Sequence, residues 1–105
     1  MADAETVKRL ALALPQVVPK KHFHLEGFAI EGKGFATIEK DGTAAMLSLD
    51  PMTAQQLADE HPHAMSIIRR NERPIGVRIA LNAVDEDVLA AALEKACRHA
   101  ASRSR

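Results

Sequence analysis

The first apolar residues of the chain, Val7, Leu10, Ala11 and Leu14, recur at the i, i+3, i+4, i+7 spacing of one buried helix face. Asp3 stands at the N-cap position, with Thr6 three residues on where a capping box would prefer Glu. Pro15 cannot donate a backbone N–H and biases Leu14 away from helical geometry, so the helix stops there. Gln16 to Lys21 read as a connector. The period then changes to that of strands. From His22 to Ile30, Phe23 and Leu25 fall on one parity and Phe28 and Ile30 on the other, which predicts a bulge or break near Glu26-Gly27. Gly32-Lys33-Gly34 predicts a turn, Phe35 to Lys40 a second strand, Asp41-Gly42 a tight hairpin. Thr43 to Leu49 is a third strand, with Ala45, Leu47 and Leu49 on one face.

Asp50-Pro51 opens a second helix with Asp at the cap and Pro at the first helical position; it runs toward His61, and Pro62 ends it. Residues 63–74 lack a clear period. Ala64, Met65, Ile67 and Ile68 suit a short packed turn, and Arg69 to Pro74 read as an exposed loop. Ile75 to Asn82 has the cleanest alternation in the chain, with Ile75, Val77, Ile79 and Leu81 facing inward and Arg78 outward. A last helix begins at Val84 or Asp85, where Asn82 and Asp85 resemble a capping pair and the acids suit the positive end of the helix dipole. Its stripe is Val88, Leu89, Ala92, Leu93, Ala96 and Cys97, and the tail Ser102 to Arg105 is expected to fray. The predicted fold is α+β, in the order α-β-β-β-α-β-α. Short hairpins imply a small antiparallel sheet of about four strands with helices packed on one face.

Composition narrows the function. A chain of 105 residues fits one domain, taken as 1–105, with a single core. The only aromatics besides histidine are Phe23, Phe28 and Phe35, so that core must be aliphatic. Acidic and basic residues balance at 14 each, without the overall basic excess common in proteins that hold nucleic acid by charge. Cys97 is the one cysteine, which excludes an internal disulfide and a cysteine-rich zinc site. No apolar run approaches the roughly 20 residues of a membrane helix. The start, Met1-Ala2-Asp3-Ala4-Glu5, is acidic, unlike a signal peptide. No membrane association is expected, and the cytoplasm is the expected location.

Catalytic chemistry finds little footing. Ser48, Ser66, Ser102 and Ser104 lack the setting of a nucleophile elbow. Gly32-x-Gly34 joins two strands and lacks the Lys-Ser/Thr of a phosphate loop. The chain is therefore read as a binding module and not an enzyme, with no cofactor expected. His22 and His24, two apart on a predicted strand, would share a face and could be two of the three ligands of a metal; solvated strand histidines are the commoner reading. The most suggestive cluster is Arg69, Arg70 and Arg73 with Arg78 on the adjoining strand. Guanidinium groups pair bidentately with phosphate oxygens, so these four are the candidate nucleic-acid contacts; a solvated charged loop, partly neutralised by Glu72 and other acids, is the commoner reading. Lys20, Lys21 and Lys33 would extend the patch if the fold brings them to that side. The alternative is a protein-interaction surface on outward residues such as Met46, Ala80 and Phe35, meeting a partner protein or a second copy.

Three stretches together resemble the MmcQ/YjbR-like family: Ala11-Leu12-Ala13-Leu14-Pro15; Gly32-Lys33-Gly34-Phe35-Ala36-Thr37 leading through Asp41-Gly42 to Leu49-Asp50-Pro51; and Val84-Asp85-Glu86 before the last helix. The resemblance spans nearly the whole chain. It implies a compact α+β domain similar to a double-wing transcription-factor domain, whose open sheet face meets double-stranded DNA. Many members carry an aromatic-rich stretch, commonly with Trp, before the last strand. Here that stretch is Arg69-Arg70-Asn71-Glu72-Arg73-Pro74-Ile75-Gly76, a basic segment with no aromatic.

Overall fold

The computed structural model describes residues 2–103. Three α-helices, α1 (Ala4–Leu12), α2 (Pro51–Glu60) and α3 (Glu86–Arg103), accompany six strands. These are β1 (Val17–Pro19), β2 (Gly27–Ile30), β3 (Lys33–Ile38), β4 (Ala44–Ser48), β5 (Met65–Arg70) and β6 (Arg73–Ala80). They form one wholly antiparallel sheet in the order β1-β2-β3-β4-β6-β5. The expected α+β class and antiparallel sheet hold; the sheet has six strands where about four were expected.

Local chemistry accounts for the helix ends. Asp3 accepts from the Thr6 amide at 2.9 Å, while the Asp3 amide donates to the Thr6 hydroxyl at 3.3 Å. A threonine thus closes the capping box in place of Glu. Asp50 caps α2 by accepting from the Thr53 amide at 3.1 Å, with Pro51 at the first turn as the sequence predicts. Asp85 accepts from the Val88 amide at 2.9 Å and so starts α3. Ser102 and Arg103 belong to α3; Ser104 and Arg105 lie outside the described residues. No helix among the described residues is long and apolar enough to cross a membrane.

The two extra strands come from segments without a legible period. Val17–Pro19, inside the expected connector, forms a three-residue edge strand on β2, where Pro19 is tolerated because an edge needs no donor on its outer side. Met65–Arg70, expected as a turn and a loop, pairs along β6 as the opposite edge. The residues expected to begin the first strand do not. His22 to Leu25 form a tight turn closed by backbone bonds of 3.0 and 2.9 Å, with Phe23 and His24 both at positive φ. His22 and His24 therefore do not share a strand face. Among the described residues, no group of three metal-ligating side chains gathers. The predicted break at Glu26-Gly27 is present, because β2 starts at Gly27. The β2–β3 turn is Glu31-Gly32, one residue earlier than expected, with both residues at positive φ.

The helices line one face of the sheet. Ile38, Ala45, Ile79 and Met65 lie across β3, β4, β6 and β5 in one register row, all buried against them. In the neighbouring row Thr37, Met46, Arg78 and Ser66 face outward. Phe35 was expected to face outward too; instead it is one of the most buried side chains. The register explains why. Phe28 pairs with Ala36 and Ala29 with Gly34, so Phe35 is an unpaired extra residue that a bulge turns into the core. Strand β6 ends at Ala80, and Leu81–Ala83 form a short 3-10 turn where the strand was expected to reach Asn82. The core is aliphatic apart from Phe28 and Phe35, with Val77, Ile79, Leu47, Leu89 and Leu93 fully buried. Cys97 sits on the buried face of α3 as a small apolar residue, and burial pushes its thiol pKa up.

Candidate nucleic-acid interface

Arg69, Arg70 and Arg73 sit on a β-hairpin, not in an irregular loop. β5 and β6 are joined by the two residues Asn71 and Glu72, both at positive φ as a type I′ turn demands. Asn tolerates that region and Glu does so at a cost, so the turn is real but disguised. Arg70 and Arg73 are directly opposite each other across it. Two like charges so placed repel, and no acidic side chain is bonded to either among the described residues. Arg69 donates to the backbone carbonyl of Glu72 at 3.3 Å, which steadies the tip. All three arginines are exposed.

Arg78 points outward, as the alternation of β6 requires, but its charge is spoken for. Its side chain crosses β4 to Glu39 beyond β3 and donates through Nε at 2.6 Å and through a terminal nitrogen at 3.0 Å. Such a bidentate pair is the strong form of the contact. Hydrogen bonding and charge from Glu39 raise the Arg78 pKa, and the Asp41 carboxylate adds to the effect. The four arginines are therefore not equivalent. Three form an open basic tip, and the fourth is neutralised in the middle of the sheet face. Glu39 shares the parity of Thr37 and so could be placed on that face by alternation, but only the cross-strand register shows that Arg78 reaches it.

The lysines divide in the same way. Leu47 pairs with both Ala36 and Val77, and from that row Lys33 in β3 and Arg73 in β6 lie toward the same end of the sheet. The Lys20 ammonium donates to the Gly32 carbonyl at 3.0 Å, inside the β2–β3 turn. The two hairpins thus form two basic projections at one end of the sheet. Strand order keeps β3 and β6, which carry Lys33 and Arg73, two spacings apart, roughly 10 Å. The patch is two separate points and not a continuous stripe. Lys21 lies away from this end, on the wall of a cleft beside α1.

The crystal structure of Deinococcus radiodurans protein DR2400, with the family-model domain DUF419, superposes with a TM-score of 0.72 at 18% sequence identity. The match covers 89% of this chain and 74% of that one. The fold is shared with DR2400. At this identity the likeness concerns the fold and nothing chemical. No family model matches the sequence, and no curated relative does.

Proposed function

We propose that this domain is a non-enzymatic DNA-binding or regulatory module that meets double-stranded DNA with the arginine hairpin and the adjoining open sheet face. The observation that carries the reading is the opposition of Arg70 and Arg73 across a two-residue turn, with no carboxylate bonded to either among the described residues. A phosphate placed at the tip relieves that repulsion and accepts from both guanidiniums. The β2–β3 hairpin with Lys20 and Lys33 supplies a second contact at the same end of the sheet. Two reaching hairpins also agree with the resemblance to the MmcQ/YjbR-like family and its double-wing architecture.

Titration of a labelled duplex at low salt tests this. Micromolar binding that weakens steeply with salt is expected, since each phosphate contact releases counterions. The variant R69A/R70A/R73A should weaken binding to all duplex sequences alike. It should also flatten the log–log salt slope by roughly 0.9 for each phosphate no longer neutralised, up to about 3 units. Absence of binding at low salt and micromolar protein refutes the reading.

A further inference from the structure

A cleft of about 340 Å³ lies between α1 and the β1–β2 edge, far from the arginine hairpin. Leu12, Pro19 and Phe28 give it an apolar floor. Pro19 and Phe28 are opposite each other across β1 and β2, so strand register sets that floor. The segment that carries the wall is pressed onto β2. The Lys20 amide donates to the Gly27 carbonyl at 2.8 Å, and a Cβ on Gly27 would lie 2.7 Å from the Lys20 carbonyl oxygen.

The charge of the wall has one sign. Three lysines, Lys8, Lys20 and Lys21, meet a single carboxylate, Glu26, in the lining. Lys8 is matched, with its ammonium 3.0 Å from Glu26 and 3.2 Å from Glu5. The Lys20 ammonium donates to the Gly32 carbonyl at 3.0 Å, a neutral acceptor that leaves its charge uncancelled. Lys21 is bonded to no carboxylate among the described residues. Even with Glu5 counted, cations exceed anions here, in a chain whose charges balance overall.

We propose that this cleft binds a small monocarboxylate with an apolar tail of medium length, the tail on the floor of Leu12, Pro19 and Phe28 and the carboxylate on Lys21. Small-molecule sites are mostly apolar with a few placed polar groups, and this cleft has that make-up and a volume within their range. An uncharged hydrocarbon would take water from Lys21 and give nothing back, while a compact inorganic anion would leave the floor unused. The lysine stems continue the apolar surface up to the head group. The site is independent of DNA binding, since the arginine hairpin sits on the opposite edge of the sheet.

Titration of the whole chain with decanoate, followed by amide chemical shifts and calorimetry, tests it. Saturable one-to-one binding on the order of 0.1 mM is expected, with shifts at Gly27 and Phe28 and none at the β5–β6 tip. Octanoate should bind about tenfold more weakly, because two methylenes leave the floor. Decyltrimethylammonium, with the same tail and the opposite charge, should bind at least about tenfold more weakly than decanoate, and K21E should cost decanoate about tenfold without weakening the cation. R69A/R70A/R73A should bind decanoate as the wild type does. No saturable binding at millimolar decanoate overturns the proposal. So do equal affinities for the two head groups, a decanoate affinity that K21E leaves unchanged, or binding confined to phosphatidylserine vesicles with none to free decanoate.

Discussion

Single residues set the tolerances of this sheet. Gly76 pairs with Ser48, and a Cβ built on it would lie 1.9 Å from the Leu47 carbonyl oxygen. The contact is with backbone, which cannot swing aside, so G76A must push β4 and β6 apart. The expected cost is about 3 kcal/mol or more, read as a lower urea midpoint at unchanged m-value. Asp50 carries a different residue-scale effect. Hydrogen bonds from Thr53, the hydroxyl foremost, hold its carboxyl pKa below the usual value, with a smaller contribution from the His99 charge. The folded pKa lies below the unfolded value of about 3.9, so the cap stabilises fully above that pH. Its contribution is lost as pH falls through the folded pKa. D50A should therefore cost about 1 kcal/mol at neutral pH and almost nothing in strong acid, a difference that denaturation at the two pH values will show. An equal cost at both would mean that the carboxylate does not cap α2.

At the scale of elements, the β5–β6 hairpin is both the candidate contact and the segment hardest to read. Its strands offer Ile67 and Ile68 side by side and then two arginines, a pattern with no period of two. Its turn is Asn-Glu where the recognisable signal is Asn-Gly. The strand forms because β6 is already fixed in the core through Val77 and Ile79 and offers a free edge with unpaired backbone groups. The turn residue is then the part under strain. Glu72 holds φ at +69°, so E72G should raise stability by about 0.5 kcal/mol, the left-handed penalty removed less the entropy glycine brings. Thermal denaturation measures it, and a lower midpoint would contradict the turn geometry. The same logic explains the His22–Leu25 turn. Phe23 and Leu25 look like alternate strand residues, yet the chain must reverse before Gly27 to pair with both β1 and β3.

At the scale of the whole molecule, the sheet order decides which charges act together. It carries Arg78 over β4 to Glu39, and it sets the arginine hairpin and the β2–β3 hairpin at one end of the sheet. Glu39 occupies the place on Arg78 that a phosphate would take. If the open face meets DNA, E39Q should free that guanidinium, tighten duplex binding and steepen the salt slope by about 0.9. An unchanged slope, alongside weaker binding in R69A/R70A/R73A, would confine the contact to the hairpin tip. Neutral overall charge leaves room for a basic tip, because Asp3, Glu39, Asp50 and Asp85 serve as caps or an ion pair elsewhere and no carboxylate is bonded to Arg70 or Arg73 among the described residues.

Local signals were sufficient wherever the chain answers to its nearest neighbours. The caps at Asp3 and Asp50, the stop at Pro15 and the inward alternation of Ala45, Leu47 and Leu49 all follow from contacts a few residues apart. The hairpin expected at Asp41-Gly42 is present but looser, a loop over 39–43 in which Gly42 and not Asp41 holds positive φ. The sequence alone therefore determined the three helices, the antiparallel class and the outward direction of Arg78. The edge strands, the bulge that buries Phe35 and the Glu39–Arg78 pair belong to the tertiary structure. Each depends on which strand lies next to which, and register between segments tens of residues apart leaves no trace in local periodicity.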